Sequence, residues 1–144
     1  MGGRWIVAGQ LAVYRTGMSN AQFSDIGACV FDAYGTLFDF NSAVEGCRNK
    51  LGDKADTLSA TWRQKQLQYT WLRSLMGRYE DFWTVTGDAL DFALAAENIN
   101  DPPLRAELMQ LYLELDPYPE VVETLIALKN ARIKIAVLSN GSLS

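Results

Sequence analysis

The chain has 144 residues, 49% of them hydrophobic and 21% charged, which fits a globular protein with one sizeable core and excludes a disordered or collagen-like chain. A formal net charge of -4 disfavours nucleic acid and anionic membrane surfaces, so neither is expected as a partner and any bound anion must be captured by local groups. Histidine is absent, which removes the commonest general base and metal ligand, and two cysteines are too few for a disulfide framework; a reducing cytoplasm is the expected setting.

Residues 5–8 and 11–14 are short apolar runs separated by Gly9-Gln10 and closed by Arg15, too interrupted for a membrane span and poor as a signal peptide. Met18 offers an alternative start, so residues 1–17 read as an upstream extension with no structural duty. Residues 26–31 are continuously apolar and predict a strand buried on both faces, with Asp32 at its C-terminal edge. The turn Ala33-Tyr-Gly-Thr36 follows, and Ser42-Ala-Val-Glu45 has the form of a capping box opening a helix that ends near Gly52.

From residue 57 to 76 the spacing of Leu58, Trp62, Leu67, Trp71, Leu72 and Leu75 predicts the longest helix, with Gly77 at its C-terminal cap. A second helical stretch runs from Tyr79 or Asp81 to Glu97, weakened at Gly87. Asp101-Pro102-Pro103 opens a third, striped by Leu104, Leu108, Leu111, Tyr112 and Leu115 and stopped by Asp116-Pro117. Trp71, Trp83 and Tyr112 are expected in the core of this helical block.

After Pro119, the spacing of Val121, Val122, Leu125 and Leu128 predicts another amphipathic helix, and residues 133–138 a second strand. Strand, helical block, helix and strand make a β-α-β crossover with an insertion, an α/β arrangement that builds a parallel sheet. Ligands of such sheets lie beyond the strand C-termini, where the polar clusters 32–36 and 139–142 would meet.

A carboxylate held at a strand end and partly stripped of water can displace a good leaving group and form an ester, and Asp32 has that position. The stretch Phe31-Asp-Ala-Tyr-Gly-Thr-Leu-Phe-Asp39 resembles the first motif of the haloacid dehalogenase superfamily, whose nucleophile is the aspartate at the motif's start. Trp62-Arg-Gln-Lys-Gln-Leu-Gln-Tyr-Thr-Trp-Leu-Arg-Ser-Leu-Met76 and Leu138-Ser-Asn-Gly-Ser142 are similar to the bacterial L-2-haloacid dehalogenases in particular.

This resemblance implies a Rossmann-like parallel sheet core, residues 18–40 and 119–144, with a helical cap, residues 41–118, inserted between the first and second core strands. It implies a short 2-haloacid as small-molecule substrate, no cofactor or metal, and a homodimer for the full-length enzyme. Asp32 would be the nucleophile, Thr36 its support, Arg63 the acceptor of the departing halide, and Ser139 with Asn140 the anchor of the substrate carboxylate. Ala33, Tyr34, Gln64, Leu67 and Phe82 would line the pocket.

Each of these residues also has a plain alternative. Asp32 and Thr36 suit a turn cap, Tyr34 a packing ring, Arg63 a solvated or ion-paired surface, Leu67 and Phe82 ordinary core, and Ser139-Asn140 a polar turn. Tyr34 separates two chemistries within the superfamily. Phosphatases carry a second aspartate at this place to protonate the leaving alkoxide, whereas a halide leaves as a stable anion. A phosphatase also needs Mg²⁺ to offset several negative charges, and one substrate carboxylate does not.

The lysine and Asn/Asp loop that the superfamily places after its third and fourth strands have no counterpart in residues 1–144. The expected consequences are an incomplete core with exposed sheet edges and a chain nearly inactive by itself. The rival readings are a phosphatase of the same superfamily and a catalytically inactive fragment serving as a dimerisation or binding module.

Overall fold

The computed structural model describes residues 7–8 and 26–141. The remainder of the stretch read as an extension, Met18 and Ser142 lie outside the described residues. By Cα proximity the described chain divides into two compact units, one drawn from Met1–Asp39 and Pro117–Ser139, the other from Phe40–Asp116 and Asn140–Ser144.

The first unit is built on a parallel sheet ordered β1-β2-β3, with β1 at Val7–Ala8, β2 at Ala28–Phe31 and β3 at Lys134–Val137. The stretch read as an extension thus contributes two paired residues, Val7 beside Val30 and Ala8 beside Phe31. Phe31 lies opposite Val137, and the Leu138 N–H donates to the Phe31 carbonyl at 2.8 Å, so β2 and β3 end level. Helix α6, Val121–Asn130, precedes β3 and covers one face. Phe31, Leu37 and Val121 form the core there, flanked by Cys29, Tyr118, Leu125 and Leu128.

Burial on both strand faces, expected from the apolar runs, is not what the structure has. The first three residues of β2 are half-buried, and all four of β3 are exposed. Of the strand residues only Phe31, with Cys29 beside it, packs into the cluster around Val121, so the cover from α6 reaches β2 on one face and leaves β3 exposed.

The second unit is helical: α1 Ser42–Gly46, α2 Arg48–Leu51, a 3₁₀ turn Gly52–Lys54, α3 Ala55–Leu75, α4 Phe82–Ala96 and α5 Pro102–Tyr112. The capping box at 42–45 does not form. Asn41 is already in the helical region (φ -72°, ψ -22°), which places Ser42 inside the first turn; its Oγ accepts from the Asp116 N–H at 3.0 Å, while Glu45 accepts from Arg48. The single helix expected to Gly52 is broken at Cys47.

The cap read at Asp101 forms, and of the two starts left open for the preceding helix, Tyr79 and Asp81, it is Asp81 that caps it. Asp81 and Asp101 accept from the N–H groups of Thr84 and Leu104, both at 3.0 Å, and Pro102 and Pro103 fill the first turn of α5. Helix α5 ends at Tyr112, four residues before the Asp116-Pro117 stop.

Along α3 the buried stripe is Ala55, Leu58, Ser59, Trp62 and Gln66. The expected continuation is solvent-facing: Trp71 is 62% exposed and Leu75 84%. Trp83, also expected in the core, is 38% exposed, whereas Tyr112 is buried. The buried stripe of α3 ends at Gln66, whose amide meets Thr86 of α4 and Tyr112, the last residue of α5. Leu58, Leu90 and Leu108, one from each long helix, are fully buried, and so are the polar side chains of Gln66 and Thr86.

Candidate active site

In the sheet unit, the chain leaves β2 at the buried Phe31 and exposes Asp32 at the strand's C-terminal edge, so the strand-end position expected of it is found but the partial loss of water is not. The next residues wind one tight turn: the Ala33 carbonyl accepts from the N–H groups of Leu37 at 2.9 Å and Phe38 at 3.0 Å, with Thr36 N–H further away at 3.4 Å. Gly35, at φ +84°, makes the reversal that a side chain would strain, and its N–H returns to the Phe38 carbonyl at 2.8 Å. Ala33, Thr36 and Leu37 are buried beneath this turn, so the exposed Asp32 sits on a fixed base. The Tyr118 N–H fastens the far side to the Leu37 carbonyl at 3.1 Å.

Tyr34 is half-buried, and burial, followed by the negative charge of Asp32, pushes its phenol above the ordinary value of 10.0. A phenol held neutral beside Asp32 adds no second charge to the strand edge. The register that ends β2 and β3 together also brings Ser139, one residue beyond Leu138, to the edge occupied by Asp32. Ser139 and the following Asn140 are both exposed.

The remaining sequence-expected residues belong to the helical unit. Arg63 is half-buried on α3, its guanidinium stacked over the Phe40 ring at 4.8 Å and its Nη1 donating to Gln66 Oε1 at 2.8 Å. Leu67, one turn further along α3, is half-buried. Gln64 is exposed, and Phe82 is buried at the start of α4.

Arg63 borders a niche of about 10 Å³ lined by Phe40, Ser59, Trp62, Gln66 and Tyr112, room for one water-sized group. Trp62 and Tyr112 stack tilted at 5.2 Å, and the Trp62 indole N–H donates to the Thr86 carbonyl at 2.9 Å. Phe40, Ser59, Gln66 and Thr86 were not singled out from the sequence. The available signal was the spacing of Gln66, three residues after Arg63 and four after Trp62, on the helix face that carries the buried stripe. Among the described residues, no three His, Cys, Asp or Glu side chains cluster closely enough to hold a metal ion.

An exposed carboxylate at the C-terminal edge of a parallel strand, with a helical block inserted in sequence before the next strand, is the arrangement found, and residues 26–144 match the haloacid dehalogenase-like hydrolase family. The chain belongs to that family. It is 52% identical over 118 residues to (S)-2-haloacid dehalogenase 1 of Pseudomonas sp. strain CBS-3, covering 81% of this chain and 52% of that protein. A crystal structure of a dehalogenase superposes with a TM-score of 0.80 at 48% identity, covering 83% of this chain and 53% of the other. The L-2-haloacid dehalogenase of Xanthobacter autotrophicus, solved with chloropropionic acid covalently bound, superposes with a TM-score of 0.71 at 44% identity, over 81% of this chain and 47% of its own. The chain spans about half the length of the curated relatives it matches.

Proposed function

We propose that the full-length protein hydrolyses short L-2-haloalkanoic acids to D-2-hydroxy acids through an ester on Asp32. The observation that carries this reading is the pairing of an exposed carboxylate at the sheet edge with a neutral, non-acidic Tyr34 two residues on, in a chain 52% identical to a named (S)-2-haloacid dehalogenase. A carboxylate oxygen of Asp32 attacks C2 from the side opposite the halogen, forming the C–O bond as the C–X pair departs with the halide. Arg63 accepts the halide, suited by a guanidinium that is always charged and whose donors are fixed. Ser139 and Asn140 hold the substrate carboxylate, Thr36 supports the loop under Asp32, and Ala33, Tyr34, Gln64, Leu67 and Phe82 shape the pocket.

Water then attacks the Asp32 carbonyl carbon, returning the carboxylate and releasing the hydroxy acid and a proton. Bond-making at C2 happens once, so the configuration inverts. The covalent chloropropionic acid in the Xanthobacter structure supports an ester of this kind. The reading includes a homodimer, supported by the exposed apolar end of α3, and a cytoplasmic setting, supported by two cysteines outside any disulfide.

The test is a single turnover of the full-length protein in oxygen-18 water with chiral analysis of the product. Label is expected in the Asp32 side chain and D-2-hydroxy acid in solution, with Asp32→Asn at least about a thousandfold slower. Racemic product or an unlabelled aspartate counts against the mechanism, and Mg²⁺-dependent phosphate release would favour a phosphatase instead.

A further inference from the structure

We propose that Gln66 is a positioning residue: a buried amide whose orientation is imposed by Thr86 and Tyr112 and which holds the Arg63 guanidinium at one angle on the wall of its niche. The halide consequence rests on the reading of Arg63 as halide acceptor.

The order of donors fixes the arrangement. Thr86 donates its one hydroxyl hydrogen to the Phe82 carbonyl at 2.7 Å, so its oxygen can only accept from elsewhere. Gln66 Nε2 donates to that oxygen at 2.7 Å and to the Tyr112 hydroxyl at 2.8 Å. Both amide hydrogens are therefore committed to α4 and α5, and Oε1 is turned to Arg63 Nη1 at 2.8 Å. The flipped amide would set oxygen against the Thr86 oxygen and an NH₂ group against a guanidinium that has no acceptor, so both ends of the relay reject it.

Gln66 is 1% exposed, so water cannot replace a partner it loses. The guanidinium lies over the Phe40 ring at 4.8 Å, and the bond to Gln66 Oε1 restrains its rotation. The neighbouring donors point elsewhere, Ser59 to Asn41 Oδ1 at 2.5 Å and Trp62 to the Thr86 carbonyl. Arg63 is the charged side chain lining a niche of about 10 Å³, room for about one water-sized group. A guanidinium already aimed needs no reordering when the anion arrives.

The experiment uses the 144-residue chain with two readouts, nitrogen-15 NMR of the Arg63 Nη groups and chloride-35 line broadening. In the wild type, restrained rotation should give separate Nη signals, and broadening should depend on Arg63, as Arg63→Ala shows. Gln66→Met, close in size but unable to accept, should average the signals and weaken chloride binding roughly tenfold.

Tyr112→Phe keeps the ring beside Trp62 and removes one partner of the amide; it should weaken binding about threefold and decides the matter if Gln66→Met does not fold. Gln66→Glu should keep the Nη signals separate yet suppress chloride binding, because the carboxylate holds the guanidinium and neutralises it; a merely structural role would not produce that split. Unchanged signals and unchanged chloride affinity in Gln66→Met, or in Tyr112→Phe where that variant decides, would overturn the proposal. Signals that collapse in Gln66→Met while the wild type shows no Arg63-dependent broadening support the positioning role and sink the halide reading instead.

Discussion

Asp32 and Tyr34 show how far single residues were legible. A carboxylate at the end of an apolar run is placed at a strand edge by linear order alone, and the tyrosine two positions on is readable as a missing acid. The charge of Asp32 also bears on Tyr34, whose phenol is raised by burial first and by that charge second. A raised phenol means that the folded state holds its proton more tightly than the unfolded chain. Stability from this group is present below the ordinary value of 10.0 and is lost as pH rises through the higher folded value. Urea midpoints of wild type and Tyr34→Phe should therefore run parallel up to about pH 9 and diverge above about pH 10, the wild type falling faster. A constant difference across that range would remove the coupling. Gln66 was illegible for the opposite reason: a neutral amide in a run of Arg, Gln and Lys looks solvated until the acceptors on α4 and α5 are in view.

Helix ends were read better than helix faces. Asp101 and Gly77 act through local geometry that neighbouring residues determine, and each sits where the sequence put it, while Asp81, one of two starts the sequence left open, caps α4. The failed capping box at 42–45 shows the limit, because tertiary pairing of Ser42 with the Asp116 N–H competes with the local motif. The stripe on α3 failed halfway, since spacing states which residues share a face and not how far the opposing helices reach. Two truncations separate these cases. Leu58→Ala, at a fully buried position, should cost about 2–5 kcal/mol in urea unfolding, whereas Leu75→Ala, 84% exposed, should stay within about 0.5 kcal/mol. Comparable losses at both would return the end of α3 to the core.

At the scale of the whole chain, the parallel sheet and its helical insertion followed from the order of apolar runs, while the depth of burial did not. Among the described residues strand β3 is one of the two outer strands of the order β1-β2-β3, and Ile135, Val137 and Leu138 are exposed, as are Val122 and Ile126 on α6. An outer strand with apolar side chains is a template for pairing with another chain, and Lys134 is the one charge within it. The chain should therefore gain mass with concentration in sedimentation velocity. Val137→Lys, placing a second charge on that edge, should hold it at the monomer mass with its helical circular dichroism unchanged. Leu75→Glu probes the rival surface, the exposed end of α3 with Trp71 and Met76. If Leu75→Glu dissociates the species and Val137→Lys does not, the contact is the helical one and supports the homodimer. The reverse result assigns self-association to the bare sheet edge and leaves α3 without a role in it.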